Sequence, residues 1–256
     1  MEAWLEFGRG PLFRISFTLM VLGLLRIFVL QIIGMIEAYK RNSDRIVDWR
    51  DITKKTISWL IPIVSIWKKK PVYSVISFGF HVGLILVPLF LAAHVKLWKG
   101  SVGFGWFTIS QPLADWLTLL VMTTGPLLFL MRLFNRRSRF LSRFQDYVWP
   151  PLLTIPFVTG YVCVNADISA STYQTIMFFH LYTANLIMIM IPFTKIAHCV
   201  LMPISQYVSS IGWKLVPGAG DKVISTLGYT DKPTWVEKPR LTKQIEVSTS
   251  KEGQAK

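Results

Sequence analysis

Five long apolar blocks constrain this chain more than any other feature. They run roughly from Phe13 to Ile36, Tyr73 to Val95, Pro112 to Phe134, Val148 to Asn165 and Tyr173 to Met202. About twenty residues in an α-helix, rising 1.5 Å each, cross a hydrocarbon core of roughly 30 Å. Within that core the backbone must satisfy its own hydrogen bonds, so each block is expected to be a helix. Composition agrees. Only 16% of the 256 residues are charged and 52% are hydrophobic, against about 25% charged in soluble domains. The expected fold is all-α and integral to the membrane: a bundle of five transmembrane helices. The first block is not read as a cleaved signal peptide, because Arg14 and Arg26 interrupt it and no small-residue cleavage site follows.

Charge in the connections predicts orientation. The first connection holds nine Lys/Arg between Glu37 and Pro71, the run Lys68–Lys70 among them. The third holds Arg136, Arg137, Arg139 and Arg143, the second only Lys96 and Lys99, and the fourth none. Under the positive-inside rule the first and third connections are cytoplasmic, the N-terminus lies outside and the C-terminus inside. This also accounts for the net charge of +14 without nucleic acid. The expected division is a membrane domain over 1–203 and a cytoplasmic polar tail over 204–256, disordered toward its end. Ile46, Trp49, Ile52 and Ile57 recur at near-helical spacing among charges, as in an amphipathic helix lying in the interface; a solvated loop helix fits equally well. The glycine-rich Gly218–Lys222 lacks the ending of a phosphate loop and reads as a turn.

The histidines carry the chemistry. There are four, His81, His94, His180 and His198, two in the second span and two in the fifth. Intramembrane ionisable residues are costly and commonly functional. Interhelical hydrogen bonding would account for one or two of them but not for two per helix on two helices. The two spans are antiparallel, so pairing by depth sets His94 against His180 on the outer side and His81 against His198 on the cytoplasmic side. Two facing neutral imidazoles suit a six-coordinate haem iron that exchanges electrons. Two such haems in series form an electron path across the bilayer. The spacing is unequal: thirteen residues separate the first two histidines and eighteen the second two, about 20 Å against 27 Å of helix. Pro88 and Pro192 lie between them, and kinks there would absorb part of the mismatch. Cys163 and Cys199 are too few and too far apart for a disulfide framework, a CxxCH haem attachment or a chain-borne iron–sulfur cluster. No carboxylate accompanies the histidines, as a zinc or di-iron site would want.

FHVGLILVPLFLAAHVKLW (Phe80 to Trp98), DYVWPPLLTIPFVTGY (Asp146 to Tyr161) and FFHLYTANLIMIMIPFTKIAHCV (Phe178 to Val200) together resemble the di-haem cytochrome b membrane subunits typified by the gamma subunit of respiratory nitrate reductase. That group includes the anchors of heterodisulfide-reductase-like and sulfite-reduction-associated complexes. The span-two histidines are further apart here than in the nitrate reductase subunit, which favours those other branches. The resemblance implies two haem b groups on His81, His94, His180 and His198. It further implies an inner-membrane subunit that oxidises menaquinone or a similar quinol at the outer haem and passes electrons to a cytoplasmic iron–sulfur partner. A quinol site at the outer ends of the spans would draw on Lys96, Trp98, Asp115, Trp116, Tyr161 and Asn165. Arg26, mid-span, is expected to face the bundle and pair with a haem propionate or with a polar group beside it. Two readings compete: a transporter or channel with a histidine-lined path, which should show repeats or broken-helix pairs, and a cofactor-free anchor subunit.

Overall fold

Proline and serine mark where the long helices begin. Pro11 and Pro71 open helices directly, using a fixed φ and sparing an N–H that has no partner there anyway. Ser110 precedes a helix with Pro112 in its first turn, and Ser169 accepts a hydrogen bond from the Thr172 N–H as an N-cap side chain does. The structure, a computed structural model, describes residues 1–41, 49–60 and 71–212. The helices are α1 (Glu2–Arg9), α2 (Pro11–Arg41), α3 (Trp49–Leu60), α4 (Pro71–Phe90) and α5 (Ala92–Val102). They continue with α6 (Gln111–Phe134), α7 (Arg136–Leu141), α8 (Phe144–Asn165), α9 (Ala170–Met190) and α10 (His198–Gly212). Two 3-10 turns, Ile191–Phe193 and Lys195–Ala197, separate α9 from α10. Among the described residues there is no β-strand.

Among the described residues, five segments are long and apolar enough to cross a membrane: Glu2–Arg41, Pro71–Phe90, Gln111–Phe134, Phe144–Asn165 and Ala170–Phe193. Their sides carry exposed Leu22, Leu25, Val75, Phe78, Ile85, Leu113, Leu127 and Ile155. A water-facing surface would not hold so many large apolar side chains; lipid accepts them. The protein is a multi-pass membrane protein. The first segment begins earlier than its apolar block, because the charged α1 joins it. The second ends sooner, at Phe90 rather than Val95, and the fifth at Phe193 rather than Met202.

The chain divides into two compact units, Met1–Phe28 with Ser58–Val200 and Val29–Ile57 with Leu201–Lys256. In the first, α4 packs on α6, α6 on α8, α8 on α9 and α9 on α1. Phe80, Val87, Val121, Leu153 and Phe157 form its core, with Val121 fully buried. Gly83 makes the α4–α6 approach possible: a Cβ there would stand 2.7 Å from the Leu117 carbonyl oxygen. Small residues at such crossings are how membrane helices come close. Buried Thr118 and Thr154 donate their hydroxyls to carbonyls four residues back, at 2.7 and 2.8 Å, so neither is left unpaired in the apolar interior. In the second unit α3 buries Ile52 and exposes Trp49 and Ile57. The Tyr207 hydroxyl donates to Thr53 Oγ1 at 3.0 Å, and Tyr39 lies beside Trp49. The amphipathic segment expected over 46–57 is helical from Trp49; Ile46 lies outside the described residues. So do Lys68–Lys70, the turn at Gly218–Lys222 and the tail beyond Gly212. Residue 203, the expected domain boundary, falls inside α10.

Candidate functional site: two histidine pairs

The second membrane helix is cut short by Pro88. Proline has no N–H and crowds the preceding turn; three residues later Leu91 is extended (φ −62°, ψ 132°) and the chain restarts as α5. A helix end leaves its last four carbonyls without intrahelical partners, and here each is met. The Ile109 N–H donates to Phe90 O at 3.0 Å, Trp106 Nε1 to Leu89 O at 2.7 Å and Trp98 Nε1 to Pro88 O at 3.4 Å. His94 Nδ1 reaches Val87 O at 3.3 Å. The break is therefore a built feature. It carries His94 on a helix separate from His81.

Segment five breaks in the matching way. Pro192 sits in the first 3-10 turn, the second turn follows, and His198 opens α10. His180 remains on the regular helix α9. The two breaks bring the histidines together as the depth argument expects. The ring centres of His94 and His180 lie 6.2 Å apart with planes 19° from parallel. Those of His81 and His198 lie 6.1 Å apart and near perpendicular, at 81°. The unequal spacing along the chain is taken up where the sequence has its prolines.

All four imidazoles are held the same way. Besides the His94–Val87 bond, Nδ1 of His81 meets Ser77 O at 2.7 Å, Nδ1 of His180 meets Pro156 O at 2.9 Å, and Nδ1 of His198 meets Lys195 O at 2.7 Å. A carbonyl only accepts, so in each ring Nδ1 carries the proton and donates it. In a neutral ring held this way, Nε2 is the lone-pair nitrogen. A second shell that fixes tautomer and orientation in this way is the usual companion of a metal-bound histidine. Thr159 Oγ1 stands 3.2 Å from the His180 Nδ1. Gly160 lies flush against that ring: a Cβ there would meet its Cε1 at 3.0 Å. Among the described residues, no group of three or more His, Cys, Asp or Glu is placed to share a metal ion; what exists is two pairs.

His94 and His180 line a cavity of about 360 Å³, mostly apolar, whose polar lining also includes Arg9, Gln111, Asp115 and Tyr161. That volume falls in the range of small-molecule sites. Of the residues expected at an outer site, Asp115 and Tyr161 line it. Asn165 stands close by, its Nδ2 3.4 Å from Asp115 Oδ1 and 3.3 Å from Tyr161 O. Gln111 Nε2 donates to the same Asp115 oxygen at 2.8 Å. Lys96 and Trp116 are exposed and do not line the cavity. Trp98 is scaffold: besides capping Pro88 it packs edge-on against Phe13 and Phe17, ring centres 5.2 and 4.9 Å away. Arg26, expected to face the bundle, is exposed. The packed stripe of α2 runs through Phe13, Ser16, Phe17, Met20, Gly23 and Ile27, and helical phase turns Arg26 about a third of a turn away from it.

Sequence reasoning did not find Arg9, because the short charged α1 has no long apolar period to announce it. Nor did it find the carbonyl anchors, which are backbone atoms and leave no mark on residue type.

No known family's profile matches the chain, and no solved structure is similar to it. One curated relative, a protein of Nitratidesulfovibrio vulgaris named only "Protein", is 32% identical over 154 residues. The aligned stretch takes in 60% of this chain and 67% of the relative. The two chains belong to one family. The relative's name states no activity, so the family brings kinship without chemistry, and function has to be argued from the histidine pairs.

Proposed function

We propose that this protein is a di-haem cytochrome b subunit of a quinone-linked oxidoreductase in the cytoplasmic membrane. The observation that carries the reading is the shared state of the four histidines: two facing pairs, each ring with Nδ1–H bonded to a carbonyl and Nε2 left with its lone pair. Two imidazoles bonded on opposite sides of one metal ion at about 2 Å each have ring centres about 6 Å apart, close to the spacing of both pairs. Two imidazole nitrogens per pair, with no third His, Cys, Asp or Glu placed to share an ion among the described residues, suit haem iron. His94 with His180 would hold one haem b and His81 with His198 the other. When bound, these groups supply one-electron transfer between two depths of the membrane. The chain's own residues fix the imidazoles and close the His94–His180 side with apolar walls from α4, α6 and α8.

In the orientation proposed from loop charge, with the N-terminus outside and the C-terminus cytoplasmic, the His94–His180 pair is outermost. The polar end of the cavity this pair lines, at Gln111, Asp115 and Tyr161, is the proposed quinol site. There Asp115, set by Gln111 and Asn165, would take a proton from a quinol hydroxyl, and Tyr161 would hydrogen-bond the ring. Electrons would leave beside His81 and His198 to an iron–sulfur subunit docked on the cytoplasmic face, where exposed Arg136, Arg137, Arg139 and Arg143 stand. The exposed Phe140 and Phe144 among them add apolar contact area.

The decisive experiment is to purify the protein from a membrane that makes haem and record its reduced-minus-oxidised spectrum with a haem assay. Two b-type, low-spin haems per chain are expected. Purified, folded protein with no haem overturns the reading.

A further inference from the structure

The His81–His198 pair depends on a segment that lies beyond the end of the fifth membrane helix. His198 follows a 3-10 turn, is exposed, and takes its orientation from one carbonyl, that of Lys195. What fixes Lys195 comes from a different helix. At the start of α8, Asp146 directs one carboxylate oxygen to the Lys195 ammonium (2.5 Å) and the other to the Arg132 guanidinium at the end of α6 (3.2 Å). The neighbouring Gln145 accepts the Lys195 backbone N–H through Oε1 at 3.2 Å. Lys195 is thus gripped at its side chain and at its amide, on either side of the Cα that carries the His198 acceptor. Asp146 is well covered, its side chain 15% exposed, and is itself set by the Arg143 N–H at 2.8 Å. A carboxylate in a partly dry setting with two cations and a backbone donor is a firm anchor. An isolated exposed ion pair would not be.

From this geometry we infer that Asp146 is a positioning residue for the haem ligand His198, acting through Lys195. The inference rests on the proposed haem ligation. The clamp fixes the Lys195 carbonyl, the carbonyl fixes the Nδ1–H of His198, and that bond sets the angle of the imidazole plane and its donor strength toward iron. The role that competes is local: a carboxylate in the first turn of α8 also stabilises that helix end.

The test compares Asp146→Asn, Asp146→Glu and Lys195→Ala in the purified, haem-loaded protein, by redox titration and low-temperature electron paramagnetic resonance. A slackened His198 bond makes the imidazole a weaker donor, so the potential of the haem at His81 and His198 is expected to rise in Asp146→Asn and also in Lys195→Ala. Its low-spin resonance should move in both, the haem at His94 and His180 should keep its signals, and Asp146→Glu should restore most of the shift. Charge alone predicts potential shifts of opposite sign, since one variant removes a negative charge and the other a positive one. Opposite shifts with unmoved resonances overturn the inference, as do unchanged signals in both variants. Loss of both haems together in Asp146→Asn marks a collapsed bundle and also counts against it. Haem-free wild-type protein instead overturns the function on which the inference stands.

Discussion

His94 donates its Nδ1 proton to the carbonyl of Val87, seven residues back and across the break in its own membrane segment. A regular helix could not make that bond, because it holds residues seven apart two turns, about 10 Å, from one another. The break folds His94 back onto a carbonyl that also accepts the Leu91 N–H at 3.1 Å, and that acceptor orients the ring. The break after Phe90 and the orientation of the His94 ring are thus one structural event.

Replacing single histidines tests the pairing. His81→Ala or His198→Ala should remove the haem on the cytoplasmic side and leave the other. His94→Ala or His180→Ala should do the reverse. Haem content is expected to fall from about two to about one per chain, read by haem assay with the resonance spectrum identifying the survivor. Two intact low-spin haems in any one of these variants would show the pairing to be wrong.

Gly160→Val should strike the outer pair selectively. Its side chain would enter space held by the His180 imidazole. Overfilling of this kind costs about 1–3 kcal/mol, and the ring is the nearest thing that can move. The outer haem should be lost or shifted in potential while the signals from His81 and His198 persist. An unchanged outer signal would mean the ring has slack.

Trp98 should behave as scaffold and leave quinol chemistry untouched. Trp98→Ala removes the Pro88 cap and the contact with Phe13 and Phe17, and about 2 kcal/mol of stability is expected to go with this half-buried ring. Trp98→Phe keeps the packing and should cost about 1 kcal/mol for the hydrogen bond. Thermal unfolding in detergent measures both. A loss of quinol turnover in Trp98→Phe at unchanged stability would return Trp98 to the quinol site.

Asp115→Asn keeps the shape of the cavity and removes the base. Haem reduction by quinol should slow by about 100-fold, while reduction by dithionite, which needs no proton acceptor, stays at wild-type rate. Equal slowing by both reductants would point to damaged haem binding and exclude a lost proton acceptor. Lys96→Ala, outside the cavity, should leave both rates alone.

The membrane segments were legible because lipid enforces a length and a polarity that composition records directly. Histidine pairing was legible for a related reason: depth follows from position along a span, and four costly side chains in two spans leave few arrangements. Arg26 shows where such reasoning stops. Its depth is plain from sequence, but its direction depends on which stripe of α2 finds partners, and Gly23 facing Pro192 decides that. The clamp from Asp146 to Lys195 joins positions far apart in sequence through two helix ends, with nothing periodic to betray it. Lys96 and Trp116 fall outside the cavity because being at the right height does not put a side chain on the right side of its helix.

Each facing pair takes one histidine from the second membrane segment or the helix that follows it, and one from the fifth or the helix that follows it. A ribosome delivers these in order, so His81 and His94 enter the bilayer while His180 and His198 are still unsynthesised. Neither pair can form until the last span has been released and docked. Under the proposed ligation, haem loading is therefore a late event for both pairs at once, and a chain truncated before α9 would hold neither.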